Sequence, residues 1–133
     1  MPLSLVENVQ PALGTDRVGQ SMRGFDTVGS TNTKAAAWAR DGAPEGSVVV
    51  AEYQSQGRGR HGRTWNADKG RNLMFSVVLR PTLRAERLGL ITVAAGVAVA
   101  EAVDAFVTAH RAALKWPNDV VLEGRDQTEC TTR

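Results

Sequence analysis

The pattern of apolar residues along the chain predicts several short strands. Each predicted strand is rich in valine, leucine or phenylalanine and is bounded by glycine, proline or a polar cluster. These strands are expected at residues 24–28, 47–53, 72–80 and 120–122. Just before the last of them, a short apolar segment ends in Pro117-Asn118-Asp119, a combination typical of a turn.

Two further segments have helical features. The cluster Ser30-Thr31-Asn32-Thr33 supplies helix-capping residues before 34–40, and Gly42 and Pro44 end that helix. From about residue 84 to 110, apolar residues recur at spacings of three and four, which predicts a second helix. Its most apolar part, 91–103, is shorter than the roughly 20 residues of a membrane span, so we expect a buried helix of a soluble domain. Because strands and helices alternate irregularly, the predicted fold is α+β or α/β, with a mixed sheet and flanking helices.

The length of 133 residues allows one domain. Residues 1–23 have no clear period and are expected to be a loosely ordered lead-in; residues 24–122 form the domain, and residues 123–133 are a polar tail. The N-terminus lacks the basic start and apolar run of a secretory signal, and Cys130 is the only cysteine. We therefore expect a cytoplasmic protein with no disulfide framework, no four-thiolate zinc site and no membrane association.

Positive charge is concentrated in one loop. The whole chain has a net charge of +2, whereas residues 57–71 carry five basic side chains against Asp68 alone, a local charge of +4. Glycine permits close approach of the backbone to a ligand, and arginine binds anions through two parallel hydrogen bonds. The segment GRGRHGRT at 57–64 therefore indicates a flexible loop that closes over a carboxylate or a phosphate.

Other interpretations of this loop remain open from its residues alone. Gly57, Gly59 and Gly62 fit a dinucleotide-binding pattern, and the same segment approximates a phosphate-binding loop in which Arg63 replaces lysine. Both patterns require a helix directly after the loop, where this sequence has turn-forming residues. A third interpretation is nucleic-acid binding by the arginines with Trp65 stacking on a base, and a fourth is a solvated, charged turn.

Five separated segments together resemble one family. They are Ser30-Thr31-Asn32, Glu52-Tyr53-Gln54, the arginine-rich segment from Gln56 to Trp65, NLMFS at 72–76 and KWPND at 115–119. In this order and spacing, from about residue 25 to 121, the chain resembles the N-terminal half of the catalytic domain of biotin protein ligases. The resemblance implies an α+β fold of the class II synthetase type. It also implies ATP-dependent activation of biotin as biotinyl-5′-AMP and transfer of biotin to a lysine of a carboxylase's biotin carboxyl carrier domain.

The resemblance also implies roles for individual residues around biotin. Ser30, Thr31 and Asn32 would hydrogen-bond the ureido ring, whose two donors and one acceptor suit short polar side chains. From the residues alone a plain helix cap fits these three equally well, and Gln54, which would also contact biotin, fits an ordinary strand end. The remaining implied biotin contacts are Arg58, Gly59, Arg60 and Lys115.

The implied nucleotide contacts come from the same loop. Arg58, Arg60 and Arg63 would bind the nucleotide, while Lys115 and Arg60 would be catalytic because fixed cations stabilise the negative charge of adenylation. Mg²⁺ would neutralise the leaving pyrophosphate, and no residue is assigned as its ligand.

The chain departs from the family pattern at both ends. Residues 1–23 leave no room for the winged-helix DNA-binding domain of some members, so we expect no DNA binding. The similarity ends after about Leu122, which indicates a C-terminally truncated catalytic domain and leaves open whether the isolated chain is active. Without the rest of the sheet, strands at 48–53 and 73–79 are expected to expose an edge or an apolar face. The alternative functions are a lipoate–protein ligase and a non-enzymatic nucleic-acid-binding module.

Overall fold

The structure is a computed structural model that describes residues 2–107 and 110–123, with only the backbone of residues 2–4. The chain divides between Arg80 and Pro81 into two compact units, which are described separately. The predicted tail from residue 124 onward, including Cys130, lies outside the described residues.

The first unit is built on a three-stranded mixed sheet. Its main elements are α1 (Pro2–Val9), β1 (Met22–Val28), α2 (Thr31–Arg40), β2 (Val48–Gln54) and β3 (Met74–Val77). The strand order is β1-β2-β3; β1 runs parallel to β2, and β3 runs antiparallel to β2. The prediction of a mixed sheet with flanking helices is therefore confirmed.

The N-terminal segment differs from its prediction. A helix, α1, followed by a short 3-10 turn at Gln10–Ala12, occupies much of the segment that was expected to be loosely ordered. Pro2 is the first residue of this helix, where proline is tolerated because the amide hydrogen it lacks would have no partner within the helix. The helix packs against β1, so tertiary contact stabilises an element that is too short to be stable by itself.

The core of this unit lies between α2 and the sheet. Ala35 of α2 packs with Val49 of β2 and with Val78, which follows β3, and all three are buried. Phe25 and Trp38 border this cluster, and the Arg23 guanidinium lies 4.1 Å from the centre of the Trp38 ring. All four residues from Val48 to Ala51 are buried because β2 is the central strand.

β3 is an edge strand with one apolar side chain turned to solvent. Met74 and Ser76 are buried on one face, whereas Phe75, which pairs in register with Val50, is 49% exposed. Leu73 and Leu79 beside the strand are exposed as well. An exposed edge or apolar face was expected at both 48–53 and 73–79; the structure has one at 73–79, whereas the expectation for 48–53 is wrong because β2 is the buried central strand.

The second unit contains one helix and one hairpin. α3 (Gly89–Phe106) is followed by β4 (Ala112–Lys115) and β5 (Asp119–Leu122), which pair antiparallel across a turn at 116–118, as the turn signal predicted. The helix packs on the hairpin closely at one point, where a Cβ on Gly96 would lie 2.9 Å from Leu114 Cδ2.

The expectation that this helix is buried is wrong for the described residues: none of the residues of α3 is buried. The two-stranded hairpin of its own unit covers only part of the helix surface. The helix with its preceding turn, Ala85–Phe106, is also long and apolar enough to cross a membrane by composition alone. The core helix of a soluble protein can meet the same criterion.

Candidate functional site

Polar side chains converge where α2 begins. The chain passes from β1 through α2 to the parallel strand β2, so the carboxyl ends of both strands lie beside the N-terminus of the helix. Ligands of sheets with parallel strands commonly bind at this end. Ser30, Thr31, Asn32 and Gln54, which were predicted as site residues from separate segments, are all located here.

Gln54 rather than Ser30 satisfies the first amide of α2. Ser30 is the N-cap residue, but its side chain makes no capping hydrogen bond. Instead, Gln54 Oε1 accepts hydrogen bonds from the Thr31 backbone nitrogen at 2.7 Å and from Thr31 Oγ1 at 3.0 Å. A plain helix cap is therefore not the role of Ser30. The residue is buried, at 7% exposed.

Ser76 of β3 belongs to the same cluster. Its Oγ lies 2.8 Å from Thr31 Oγ1 and 2.6 Å from the side-chain amide of Asn32. The sequence prediction did not include Ser76. The available signal was a serine at a buried position of an otherwise apolar strand, because a buried hydroxyl requires a partner.

The arginine-rich loop is a closed turn rather than an open segment. Trp65 N donates to Gly57 O at 2.8 Å, Arg58 pairs with Thr64 as an isolated antiparallel bridge, and Gly59 N donates to Arg63 O at 2.8 Å. A 3-10 turn at Arg60–Gly62 forms the tip. The backbone hydrogen bonds thus hold the base of the loop together while Arg60 and Arg63 are exposed.

Gly57 is required where the two arms of the loop meet. A Cβ at this position would lie 2.3 Å from the backbone oxygen of Trp65, closer than any real carbon–oxygen contact. Of the three glycines of the sequence pattern, Gly57 therefore has a steric role. Gly62 instead has a φ of 75°, a conformation that glycine adopts without strain.

Two side-chain contacts attach this loop and the residues after it to the sheet unit. Arg58 Nη2 donates to Thr33 Oγ1 at 2.6 Å, which brings this arginine to the first turn of α2. Lys69 Nζ donates to Asp26 Oδ2 at 2.7 Å. That hydrogen bond holds the pKa of the Asp26 carboxyl below its ordinary value.

The predicted residues do not all occur in one unit. Ser30, Thr31, Asn32, Gln54, Arg58, Gly59, Arg60 and Arg63 belong to the first unit. Lys115 belongs to the second, where it is the exposed last residue of β4 and pairs in register with Asp119. The structure thus brings together the residues around the start of α2 and describes Lys115 in its own hairpin.

The dinucleotide-binding and phosphate-binding interpretations of the glycine-rich loop do not fit the structure. Both need a helix that opens directly after the glycines. In the described part of the chain, the next helical turn after the loop begins at Ala85 and the next α-helix at Gly89. The edge strand β3 lies between the loop and these helices, so no helix N-terminus follows the loop directly to bind a phosphate.

The described residues also contain no evident protein-built metal site. Within residues 2–107 and 110–123, no three side chains from His, Cys, Asp or Glu lie close enough together to hold a metal ion. Ser30, Thr31, Asn32 and Gln54 carry hydroxyls and amides, which suit a neutral hydrogen-bonding ligand.

The first unit is thus an α+β domain with a mixed sheet, a polar cluster at the start of α2 and an arginine-rich loop beside it. The family model described as "Biotin/lipoate A/B protein ligase family" matches residues 24–126. The chain belongs to this family.

Individual relatives agree with this assignment. The chain is 40% identical over 113 residues to the biotin–[acetyl-CoA-carboxylase] ligase of Mycobacterium tuberculosis, covering 80% of this chain and 42% of that protein. It is similar to the Aquifex aeolicus biotin protein ligase R40G mutant in complex with biotin, with a TM-score of 0.59, 35% identity and coverage of 75% and 40% of the two chains. The Helicobacter pylori biotin acetyl coenzyme A carboxylase synthetase with bound biotinylated ATP gives a TM-score of 0.57 at 25% identity, with coverage of 78% and 50%. The chain spans half or less of the length of each of these proteins.

Proposed function

We propose that this chain is the biotin-binding part of a biotin protein ligase catalytic domain. The observation that carries the proposal is that Gln54, and not Ser30, makes the side-chain hydrogen bond at the start of α2. Gln54 Oε1 accepts the first amide hydrogen of α2, and the Ser30 hydroxyl beside it makes no capping hydrogen bond. A ureido ring offers two N–H donors and one carbonyl acceptor. The hydroxyl and amide groups of the cluster include both hydrogen-bond donors and hydrogen-bond acceptors.

The proposed reaction has two steps. The biotin carboxylate attacks the α-phosphorus of ATP, forming a carboxyl–phosphate anhydride while the bond to pyrophosphate breaks. A lysine amine of the carrier domain then attacks the acyl carbon, an amide bond forms, AMP leaves and the amine loses a proton. These substrates and this class of partner are supported by the relatives, which are a biotin–[acetyl-CoA-carboxylase] ligase, a biotin protein ligase in complex with biotin and a synthetase with bound biotinylated ATP.

The roles of the basic residues in this reaction follow from charge. Adenylation develops negative charge on the phosphoryl oxygens, which positioned guanidinium and ammonium groups stabilise. Arg58, Arg60 and Arg63 would supply guanidinium groups from the loop, and Lys115 would contact the biotin carboxylate and the phosphoryl oxygens. Mg²⁺ would arrive on the nucleotide phosphates, as is common for this ion, since the described residues provide no cage for it. The cytoplasm, where ATP and carboxylases occur, is the proposed location.

The adenylation step is tested separately from transfer by biotin-dependent exchange of labelled pyrophosphate into ATP. We expect exchange that depends on biotin and Mg²⁺ and that falls at least about 100-fold in Lys115→Ala, the scale of losing a group that stabilises transition-state charge. Arg111→Ala, an exposed change in the same unit, is the matched control and should leave exchange unchanged. Biotin binding without any exchange would contradict ligase activity of this chain and leave a binding function.

Calorimetry distinguishes the remaining alternatives. Biotin should bind and lipoate, whose dithiolane ring has no N–H donor, should not; the reverse result would assign the chain to the lipoate branch of the family. A nucleic-acid module would instead bind single-stranded DNA with an affinity that falls steeply with salt.

A further inference from the structure

Four polar side chains form a continuous row at the start of α2. Gln54 Oε1 lies 3.0 Å from Thr31 Oγ1, which lies 2.8 Å from Ser76 Oγ, and Ser76 Oγ lies 2.6 Å from the Asn32 amide group. The orientation of the Gln54 amide is fixed. Its Oε1 also accepts the backbone N–H of Thr31 at 2.7 Å, so the atom at this position must be the oxygen and not the nitrogen. Thr31 and Ser76 are the buried members of the row, 4% and 9% exposed.

The number of protons in this row determines the orientation of Asn32. Three contacts connect four groups, and each needs one proton between its two heavy atoms. When Asn32 Oδ1 faces Ser76, the row has only the two hydroxyl protons of Thr31 and Ser76, so one of the three contacts has none. A 180° turn of the Asn32 amide places Nδ2 at the same point and supplies the third proton. Every donor then has an acceptor, from Asn32 through Ser76 and Thr31 to Gln54.

We infer that Ser76 is a positioning residue that holds the Asn32 amide with Nδ2 inward and Oδ1 toward the ligand. This inference rests on the proposed function, in which the ligand is biotin. Oδ1 of Asn32 then accepts one ureido N–H, while Gln54, whose Oε1 is already occupied, can offer only its Nε2 donors. The row thereby selects a cyclic urea, which has N–H donors, over a ring that has none.

Ser76 differs in this respect from Ser47, a buried serine directly before β2. Ser47 is 1% exposed, and its hydroxyl donates to the carbonyl of Pro44, a local turn contact within three residues. Loss of either hydroxyl removes a buried hydrogen bond and costs stability. Only the Ser76 hydroxyl contacts Asn32, so Ser47→Ala is the matched control for a purely structural effect.

The first test needs no ligand. In NMR spectra of the full chain labelled with ¹⁵N, the Asn32 side-chain NH₂ protons should show cross-relaxation to the Ser76 β-protons, because Nδ2 faces Ser76. If the NH₂ group instead shows no contact with Ser76 in a folded chain, Oδ1 faces inward and the inference is overturned. This result stands even if the chain fails to bind biotin, an outcome that would contradict the proposed function alone.

The second test uses biotin and two analogues, each methylated at one ureido nitrogen, with calorimetry as the readout. Ser76→Ala should weaken biotin binding about tenfold, the scale of one misplaced hydrogen bond. It should have no further effect on the analogue that lacks the N–H facing Asn32. Ser76→Thr, which keeps the hydroxyl, should restore most of the affinity, and Ser47→Ala should bind biotin normally. Equal weakening of biotin and both analogues by Ser76→Ala would show a merely structural role and refute the inference.

Discussion

The assignment of the α2 cap to Gln54 makes a specific prediction about two substitutions. Ser30→Ala and Gln54→Ala remove polar groups that lie beside the same helix N-terminus. An N-cap serine replaced by alanine ordinarily costs about 1 kcal/mol of stability. In this structure the Ser30 side chain makes no capping hydrogen bond, so Ser30→Ala should cost less than about 0.5 kcal/mol, the range of a change that breaks no such contact.

Gln54→Ala, in contrast, should lower the stability of the chain. It leaves the Thr31 amide at 2.7 Å and the Thr31 hydroxyl at 3.0 Å without their shared acceptor. Loss of an acceptor from a partly buried donor costs about 1–3 kcal/mol. Both substitutions should weaken biotin binding, because the Ser30 hydroxyl and the Gln54 amide are both assigned to the ligand. Ser30→Ala should thus lose affinity for biotin but keep its stability, whereas Gln54→Ala should lose both.

Urea denaturation followed by tryptophan fluorescence measures the stability difference. Trp38 lies on α2 beside the core and reports unfolding of this unit. With an m-value of about 2 kcal/mol/M, a loss of 1 kcal/mol moves the midpoint by about 0.5 M. The reasoning is refuted if Ser30→Ala shifts the midpoint as much as Gln54→Ala does, since Ser30 would then be the effective cap.

Three further outcomes are expected. Gly57→Ala should destabilise the chain by about 1–3 kcal/mol, because its Cβ would overlap the Trp65 backbone oxygen, whereas Gly14→Ala, with open space around it, should not; urea midpoints compare the two. NMR titration of Asp26 should give a pKa below the ordinary value for aspartate, and Lys69→Met should raise it. Because this pKa is lowered, the Asp26–Lys69 pair contributes stability above the ordinary aspartate pKa and loses it as the pH falls through the lowered one; a Lys69→Met chain with an unchanged Asp26 pKa would rule out this pairing. Lys115→Ala should leave the urea midpoint within about 0.5 kcal/mol of the original chain, because the side chain is exposed, so that any loss of adenylation reflects chemistry rather than folding.

Local patterns predicted the elements that local interactions determine. The helix at 31–40 and the strand at 48–54 occur close to their predicted positions because an alanine-rich segment and a valine-rich run specify them within a few residues. α1 was missed because its stability comes from packing against β1 rather than from a strong periodic pattern. The burial of α3 was predicted wrongly because its composition states what the helix could bury but not how much surface its neighbours cover.

The candidate site shows the same division. The resemblance to biotin protein ligases predicted four site residues, Ser30, Thr31, Asn32 and Gln54. Their mutual arrangement, however, depends on contacts between residues that are far apart in the chain. Gln54 reaches Thr31 across 23 positions, and Ser76 reaches Asn32 across 44. The role of Gln54 as the cap, and the part of Ser76 in the polar row, follow from the register of the sheet, which no local pattern specifies.

The central claim, that the start of α2 is a biotin site, is tested most directly by calorimetric titration of the full chain with biotin, in parallel with Ser30→Ala and Ser47→Ala. The account predicts binding of one biotin per chain, weakened about tenfold or more by Ser30→Ala and unchanged by Ser47→Ala. Absence of biotin binding by a folded chain, or equal binding by all three proteins, would contradict it.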